Sequence, residues 1–218
     1  MAIFLFYTKH IWPFFENHVI DIKMSENQQS SVADALDVQL KKTVVMVGMM
    51  GAGKTAVGRA LAARLGVAFL DSDAELEIAA DRTIAEIFER DGEAFFRQKE
   101  TQVIQRLLQG TPGILSTGGG AFLSEINRQA IAEAGVSVWL DADLDLLWAR
   151  VKSKDTRPLL RTDDPFQTLS DIYADRVPLY ALADLNVKAN AAYSIADTAE
   201  RVVEALLTRP DVLELTHG

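Results

Sequence analysis

The chain of 218 residues contains no cysteine. That absence excludes disulfides, thiolate zinc sites, iron–sulfur ligation and cysteine nucleophiles together. Histidine is scarce as well. The three present, His10, His18 and His217, all lie near the termini, so neither a histidine-rich metal site nor a Ser-His-Asp triad is expected. Long apolar runs are missing too. The longest candidate, Ala2 to Tyr7, has six residues, against roughly 20 needed to cross a bilayer. It is also too short for the apolar region of a secretory signal, and Lys9 and His10 follow it instead of preceding it. A cytoplasmic protein without membrane association is expected. Positive charge is the last deficit: 22 Lys and Arg against 31 Asp and Glu give a formal charge of −9. No nucleic-acid partner is expected, because counterion release needs clustered positive charge. A small anionic ligand needs only a local basic pocket and stays open.

What is present is a normal globular balance, 49% hydrophobic and 24% charged residues, in a length that suits one α/β domain. Residues 1–40 differ from the rest. Aromatic and aliphatic side chains crowd positions 3 to 15, and a polar stretch, Ser25 to Ser31, follows. This segment reads as a loosely ordered N-terminal extension. Met24 opens directly onto the polar stretch and is a candidate for the true start. Residues 41–218 read as a single domain.

From residue 43 the pattern alternates between short apolar runs and helical faces. Thr43 to Val47 is a β-branched apolar run of the kind buried in a parallel sheet. Residues 57, 61 and 65 form an apolar helix face, stopped by Gly66. A second strand is expected at Val67 to Leu70, then helices near 74–81, 84–90 and 93–109, with Thr83 and Glu86 as a capping box. A third strand at Gly113 to Ser116 leads into Gly118-Gly119-Gly120. A helix near 125–134, a strand at Val136 to Leu140, a helix at 143–152, a strand near 185–188 and a helix at 195–207 complete the series. Strands alternating with helices imply a parallel sheet covered on both faces.

Gly48-Met49-Met50-Gly51-Ala52-Gly53-Lys54-Thr55 satisfies G-x-x-x-x-G-K-[ST] at every specified position. Glycines let the backbone curl so that successive N–H groups face phosphate oxygens. Lys54 supplies a charge for the β- and γ-phosphates, Thr55 a hydroxyl for Mg²⁺, and the following helix its N-terminus. Because the motif sits between an expected strand and an expected helix, a nucleoside triphosphate is the expected ligand.

Other residues suggest an acceptor. Asp71 and Asp73 end the second expected strand, where ligands of open α/β sheets gather. Two carboxylates there suit magnesium and an attacking hydroxyl. Gly118 to Gly120 suit close approach of a ligand to bare backbone. Arg97, Arg157 and Arg176 can each grip a carboxylate or phosphate bidentately. The basic stretch with Lys152, Lys154, Arg157 and Arg161 reads as a lid over about 152–166, which would exclude water from the reaction.

The ordered set of Met46 to Thr55, Leu70 to Asp73, Ile84 to Phe88, Gly92-Glu93, Phe96-Arg97, Glu100, Gly118 to Gly120, Arg157 to Leu160 and Arg176 with Pro178-Leu179-Tyr180 resembles shikimate kinase. The resemblance covers about residues 43–207. It implies a P-loop, nucleoside-monophosphate-kinase-like fold: a three-layer α/β sandwich around a five-stranded parallel sheet of order 2-3-1-4-5. It implies ATP with Mg²⁺ and, as acceptor, shikimate, phosphorylated at its 3-hydroxyl on the route to chorismate and the aromatic amino acids. Gly51, Ala52, Gly53, Lys54 and Thr55 would bind ATP. Asp73 would hold the acceptor hydroxyls and position or deprotonate the attacking one. Arg97 and Arg176 would clamp the carboxylate, and backbone at Gly118, Gly119 and Gly120 would line that site; the acceptor-binding region is expected at about 72–107. Thr55 and Asp71 would serve magnesium, Asp71 directly or through water. Lys54 and Arg157 would stabilise the transferring phosphoryl group, and Arg150 matches the family's adenine-stacking arginine. A monomer is expected.

The chain departs from the family at Gln98-Lys99, where a second arginine is common, and at Thr55, where many members have serine. Neither change removes a required donor. Two rivals stand beside this reading. Another small-molecule kinase of the same fold, such as one for gluconate, would also use arginines on a carboxylate. A non-catalytic ATP or metabolite sensor would normally bring a DNA-binding module, and it would tolerate loss of Lys54 or Asp73, both of which are present.

Overall fold

A computed structural model describes residues 37–153 and 158–216. Arg157, and the expected lid between 154 and 157, lie outside the described residues, as does nearly all of the N-terminal extension.

The centre of the protein is a strand, β2 (Thr43–Val47), whose five residues are all buried. Its run of Val44, Val45, Met46 and Val47 alternates with nothing polar, so both faces of the strand must be covered. Burying each such side chain contributes about 1.5–3 kcal/mol. Four further strands flank it in parallel: β3 (Phe69–Asp71), β4 (Ile114–Ser116), β5 (Gly135–Asp141) and β6 (Leu185–Lys188). Their order across the sheet is β3-β4-β2-β5-β6, which is the 2-3-1-4-5 order expected for the five strands. Helices lie on both faces of this sheet, giving the three-layer sandwich.

Among the described residues, seven α-helices connect the strands: α1 (Lys54–Leu65), α2 (Ser72–Ala80), α3 (Ile84–Leu108), α4 (Glu125–Ala134), α5 (Leu144–Val151), α6 (Pro165–Tyr180) and α7 (Ile195–Leu207). Their starts follow capping chemistry. Thr83 and Glu86 form the expected capping box. Asp143, Asp164 and Ser194 each accept a backbone N–H at the start of α5, α6 and α7. The expected helices at 84–90 and 93–109 are the two halves of α3, broken at Gly92, whose φ of 81° lies outside the helical region.

Two features differ from the sequence expectation. The pattern predicts no element between 152 and 185, yet α6 fills residues 165–180. Pro165 is a start signal there, standing just inside the Asp164 cap where its missing N–H costs nothing. Pro178, which reads as a breaker, falls in the last turn and removes only one helical donor. The second difference is a small antiparallel pair of β1 (Val38–Leu40) with β7 (Leu213–Leu215). Three-residue strands carry too little alternation to be visible in the sequence.

Register places the site. Met46 pairs with Ser116, and Ser116 pairs with Asp71. The carboxyl ends of β2, β4 and β3 therefore finish side by side, and the three segments that follow them, residues 48–53, 117–120 and 72–73, emerge at one edge of the sheet. The Thr117 hydroxyl fixes two of these segments by donating to the Met46 carbonyl at 3.0 Å.

Candidate active site

The loop after β2 curls as its glycines allow. Gly51 and Gly53 have φ of 83° and 103°, in the left-handed region that costs an ordinary residue about 1 kcal/mol or more. Gly53 caps α1 without any side-chain bond, so the first N–H groups of the helix remain available to an anion. Lys54 folds back across the loop and donates to the carbonyls of Gly48 at 2.8 Å and Met49 at 3.0 Å. Arg150, from α5, donates to the carbonyls of Gly51 at 3.2 Å and Ala52 at 3.0 Å. Its guanidinium thus braces the cradle as well as lining it.

The cradle opens into a cleft of about 470 Å³ that is lined by residues 50–57, Arg150, Asp73, Thr117 to Gly119 and the start of α7. Beneath it, the Thr55 hydroxyl donates to Asp71 Oδ2 at 3.2 Å and lies 3.3 Å from Ser116 Oγ. The other oxygen of Asp71 caps α2, accepting from the N–H groups of Asp73 and Ala74 at 3.1 and 3.4 Å. Three hard oxygen donors thus sit below the place where phosphates would lie. Among the described residues no group of three or more His, Asp and Glu side chains could enclose a metal alone. That donor set fits Mg²⁺ held jointly with substrate phosphates, the usual arrangement for this ion.

Asp73 stands in the first turn of α2 at the inner end of the cleft. Burial raises its pKa above the ordinary 3.8, the nearby charge of Asp71 raises it further, and Lys54 opposes both. Past Asp73 lies a second cluster. Arg97 donates to Glu100 Oε2 at 2.8 Å and to Glu93 Oε1 at 3.2 Å. Burial works against the Arg97 charge, but these two carboxylates outweigh it and its pKa is raised. Glu100 is only 2% exposed, and its Oε1 has no hydrogen-bond partner among the described residues. Burial raises its pKa too, with Arg97 pulling the other way.

The glycine run separates these groups closely enough that side chains there would collide. A Cβ on Gly120 would lie 2.5 Å from an Arg97 guanidinium nitrogen, and one on Gly118 would lie 2.7 Å from Asp73 Oδ1. The Gly119 carbonyl accepts a hydrogen bond from the buried Tyr180 hydroxyl, on α6, at 2.5 Å. Arg176, one turn earlier on the same helix, bears electrostatically on that hydroxyl, and so does Arg97.

The structure thus brings Gly51, Ala52, Gly53, Lys54, Thr55, Asp73, Gly118, Gly119 and Arg150 to one cleft, with Asp71 joined to it through Thr55. Arg97, Gly120 and Arg176 stand beside its inner end. Ser116, Glu100 and Tyr180 join the site without having been assigned roles from the sequence. Glu100 follows Arg97 by three residues and Tyr180 follows Arg176 by four, spacings that put each pair on one helix face. That periodicity was the available signal. Ser116 reads as an ordinary buried strand residue, and only its register beside Asp71 reveals it.

Comparisons with known proteins fit this arrangement. The family described as "Shikimate kinase" matches residues 50–207. The shikimate kinase of Ruegeria pomeroyi is 64% identical over 191 residues, 88% of this chain and 98% of that protein. The shikimate kinase of Cereibacter sphaeroides is 65% identical over 176 residues, 81% of this chain and 88% of that one. Among solved structures, shikimate kinase from Acinetobacter baumannii in complex with shikimate superposes with a TM-score of 0.72. That structure is 39% identical, with 77% of this chain and 93% of the other covered.

Proposed function

The chain belongs to the shikimate kinase family and is an ATP-dependent kinase, and we propose that it phosphorylates shikimate at the 3-hydroxyl with the residues assembled around Asp73. The observation that carries this reading is the position of Asp73, where the phosphate cleft meets the Arg97–Glu100 cluster.

Phosphoryl transfer depends mainly on positioning and on stabilising charge as it shifts to the leaving and attacking oxygens. The cradle N–H groups and the α1 N-terminus hold the donor phosphates. Lys54 exchanges its bonds to the Gly48 and Met49 carbonyls for phosphate oxygens, placing its charge where the γ-phosphoryl leaves. Arg150 supports the cradle from behind and offers its guanidinium plane to the base. Mg²⁺, held by Thr55 with Asp71 close by, would neutralise charge on the β- and γ-phosphates. Arg97 and Arg176 receive the acceptor carboxylate, and backbone at Gly118 to Gly120 lies close enough to touch the ring. Asp73 then accepts a hydrogen bond from the attacking hydroxyl and orients it, taking its proton as the new P–O bond forms. Arg157 is assigned to the transferring phosphoryl group through the family motif alone.

An ADP-release assay with shikimate, gluconate and no acceptor, run side by side, tests the reading. Release should require shikimate. Equal release in all three arms would overturn it, and faster release with gluconate would favour the sugar-acid kinase instead.

A further inference from the structure

Tyr180 is completely buried and ends α6. Its ring stacks on Trp139 of β5 with centroids 6.3 Å apart, which fixes where the hydroxyl can point. That hydroxyl donates to the Gly119 carbonyl at 2.5 Å, and it lies 3.9 Å from the position a Cβ on Gly119 would occupy. Arg176, four residues earlier on α6, bears electrostatically on that hydroxyl, and so does Arg97. A buried hydroxyl needs one partner to be satisfied. This one has its partner in the glycine turn after β4 and lies in the field of the proposed clamp arginine on α6.

We infer that Tyr180 is a positioning residue, whose hydroxyl joins Arg176 to the Gly119 carbonyl and so sets the distance between the carboxylate clamp and the backbone wall of the acceptor site. The inference rests on the reading of Arg176 as a carboxylate clamp. The spacing of the two residues, four apart on one helix, makes the link direct. A guanidinium on a long side chain has many rotamers, and fixing it before the acceptor arrives lowers the cost of binding. With its proton given to the Gly119 carbonyl, the hydroxyl keeps its lone pairs for a cation, so one group can serve both neighbours. The hydroxyl's bond goes to Gly119 and not to residues 48–55 of the cradle.

Tyr180→Phe removes the hydroxyl and keeps the ring against Trp139. In steady-state assays it should raise the KM for shikimate roughly tenfold, as expected for losing a bond to a charged group, with the KM for ATP held within about twofold. Arg176→Ala should raise the shikimate KM further, and adding Tyr180→Phe to it should change little more, because the hydroxyl acts through that arginine. Thermal shift gives an independent reading: the stabilisation of Tyr180→Phe by shikimate should shrink while that by an ATP analogue is kept. An unchanged shikimate KM in Tyr180→Phe beside a raised one in Arg176→Ala would overturn the inference and leave the clamp standing. Effects of Tyr180→Phe on both substrates, additive with Arg176→Ala, would make Tyr180 a packing residue only. If neither variant changes the shikimate KM, the clamp reading falls and the inference falls with it.

Discussion

Asp73 and Glu100 aim their carboxylates at one point: a Cβ added to Gly118 would lie 2.7 Å from Asp73 Oδ1 and 3.3 Å from Glu100 Oε1. The Asp73 charge raises the pKa of Glu100, already lifted by burial. Two carboxylates that repel each other in a half-dry space are held there by Arg97, by Lys54 and by the absence of a side chain at position 118.

Gly118→Ala follows from that geometry. The added methyl cannot be accommodated without moving Asp73, since contact under about 3 Å to an oxygen is repulsive. A displacement near 1 Å at a reacting group costs on the order of 100-fold in rate. The variant should therefore lose about that much turnover while ATP binding and the unfolding midpoint stay near wild type. Calorimetric ATP titration beside turnover measurements checks this, and wild-type kcat in Gly118→Ala would show that Asp73 need not stay where it is.

Asp73→Asn keeps the shape and removes the proposed base. Turnover should fall by roughly 10²–10⁴, the usual worth of a positioned general base, with ATP affinity preserved. The pKa of Asp73 is raised in the folded protein, so the folded state holds its proton to higher pH than the unfolded chain does. Its ionisation consequently subtracts stability above the folded pKa, and this penalty disappears as pH falls through that value toward the unfolded value of 3.8. Asp73→Asn should melt higher than wild type near neutral pH, and the difference should fade in acid. The acid limb of kcat/KM should lie above the ordinary Asp value of 3.8 and vanish from the residual activity of the variant. A midpoint for Asp73→Asn below that of wild type at pH 7 would contradict the burial argument.

Much of this arrangement was legible in the residues themselves. The P-loop and the strand and helix alternation follow from local signals: β-branched runs, caps such as Thr83 with Glu86, and glycines where φ must be positive. The order of the five strands was implied by the family resemblance and not by any local signal. Asp73, Arg97 and the glycine run were recognisable as motifs. What stayed hidden depends on contacts across the chain. Ser116 enters the site through its register beside Asp71, and Arg150 reaches residues 51 and 52 from a helix about a hundred positions later. Helix α6 was masked by Pro178, whose effect depends on its lying in the final turn. The β1–β7 pair joins the two ends of the described chain and has no local signature.

Arg97, proposed to bind the acceptor carboxylate, is also the partner of buried Glu100, and a pair of variants separates the two. Arg97→Ala should raise the shikimate KM by roughly 10–100-fold through the lost charge-assisted bonds. It also strips Glu100 of its partner inside the protein, which makes a buried carboxylate costly. The midpoint of Arg97→Ala should drop accordingly at neutral pH. Adding Glu100→Gln removes the stranded charge, so the double variant should recover much of the midpoint and none of the shikimate affinity. Recovery of both would mean that Arg97 acts only by neutralising Glu100.

The β1–β7 pair clasps the two ends of the described chain together. Leu213, 1% exposed, pairs with Leu40 and belongs to the same core as Val202 and Leu206 of α7. The start of that helix lines the phosphate cleft through Ile195 and Thr198. Leu213→Ala removes buried methyl groups from a packed site and should cost about 2–4 kcal/mol of unfolding free energy. For a domain of this size that corresponds to a midpoint lower by very roughly 4–16 °C. Because Leu213 sits at the far end of α7 from the cleft, the cradle keeps its own bonds and the glycine run keeps Tyr180. Both KM values should therefore remain near wild type at 25 °C, where the folded state still dominates. Chemical denaturation paired with steady-state kinetics reads the two quantities separately. A raised KM for ATP at a temperature well below the midpoint would show instead that the clasp holds α7 in register with the nucleotide cleft.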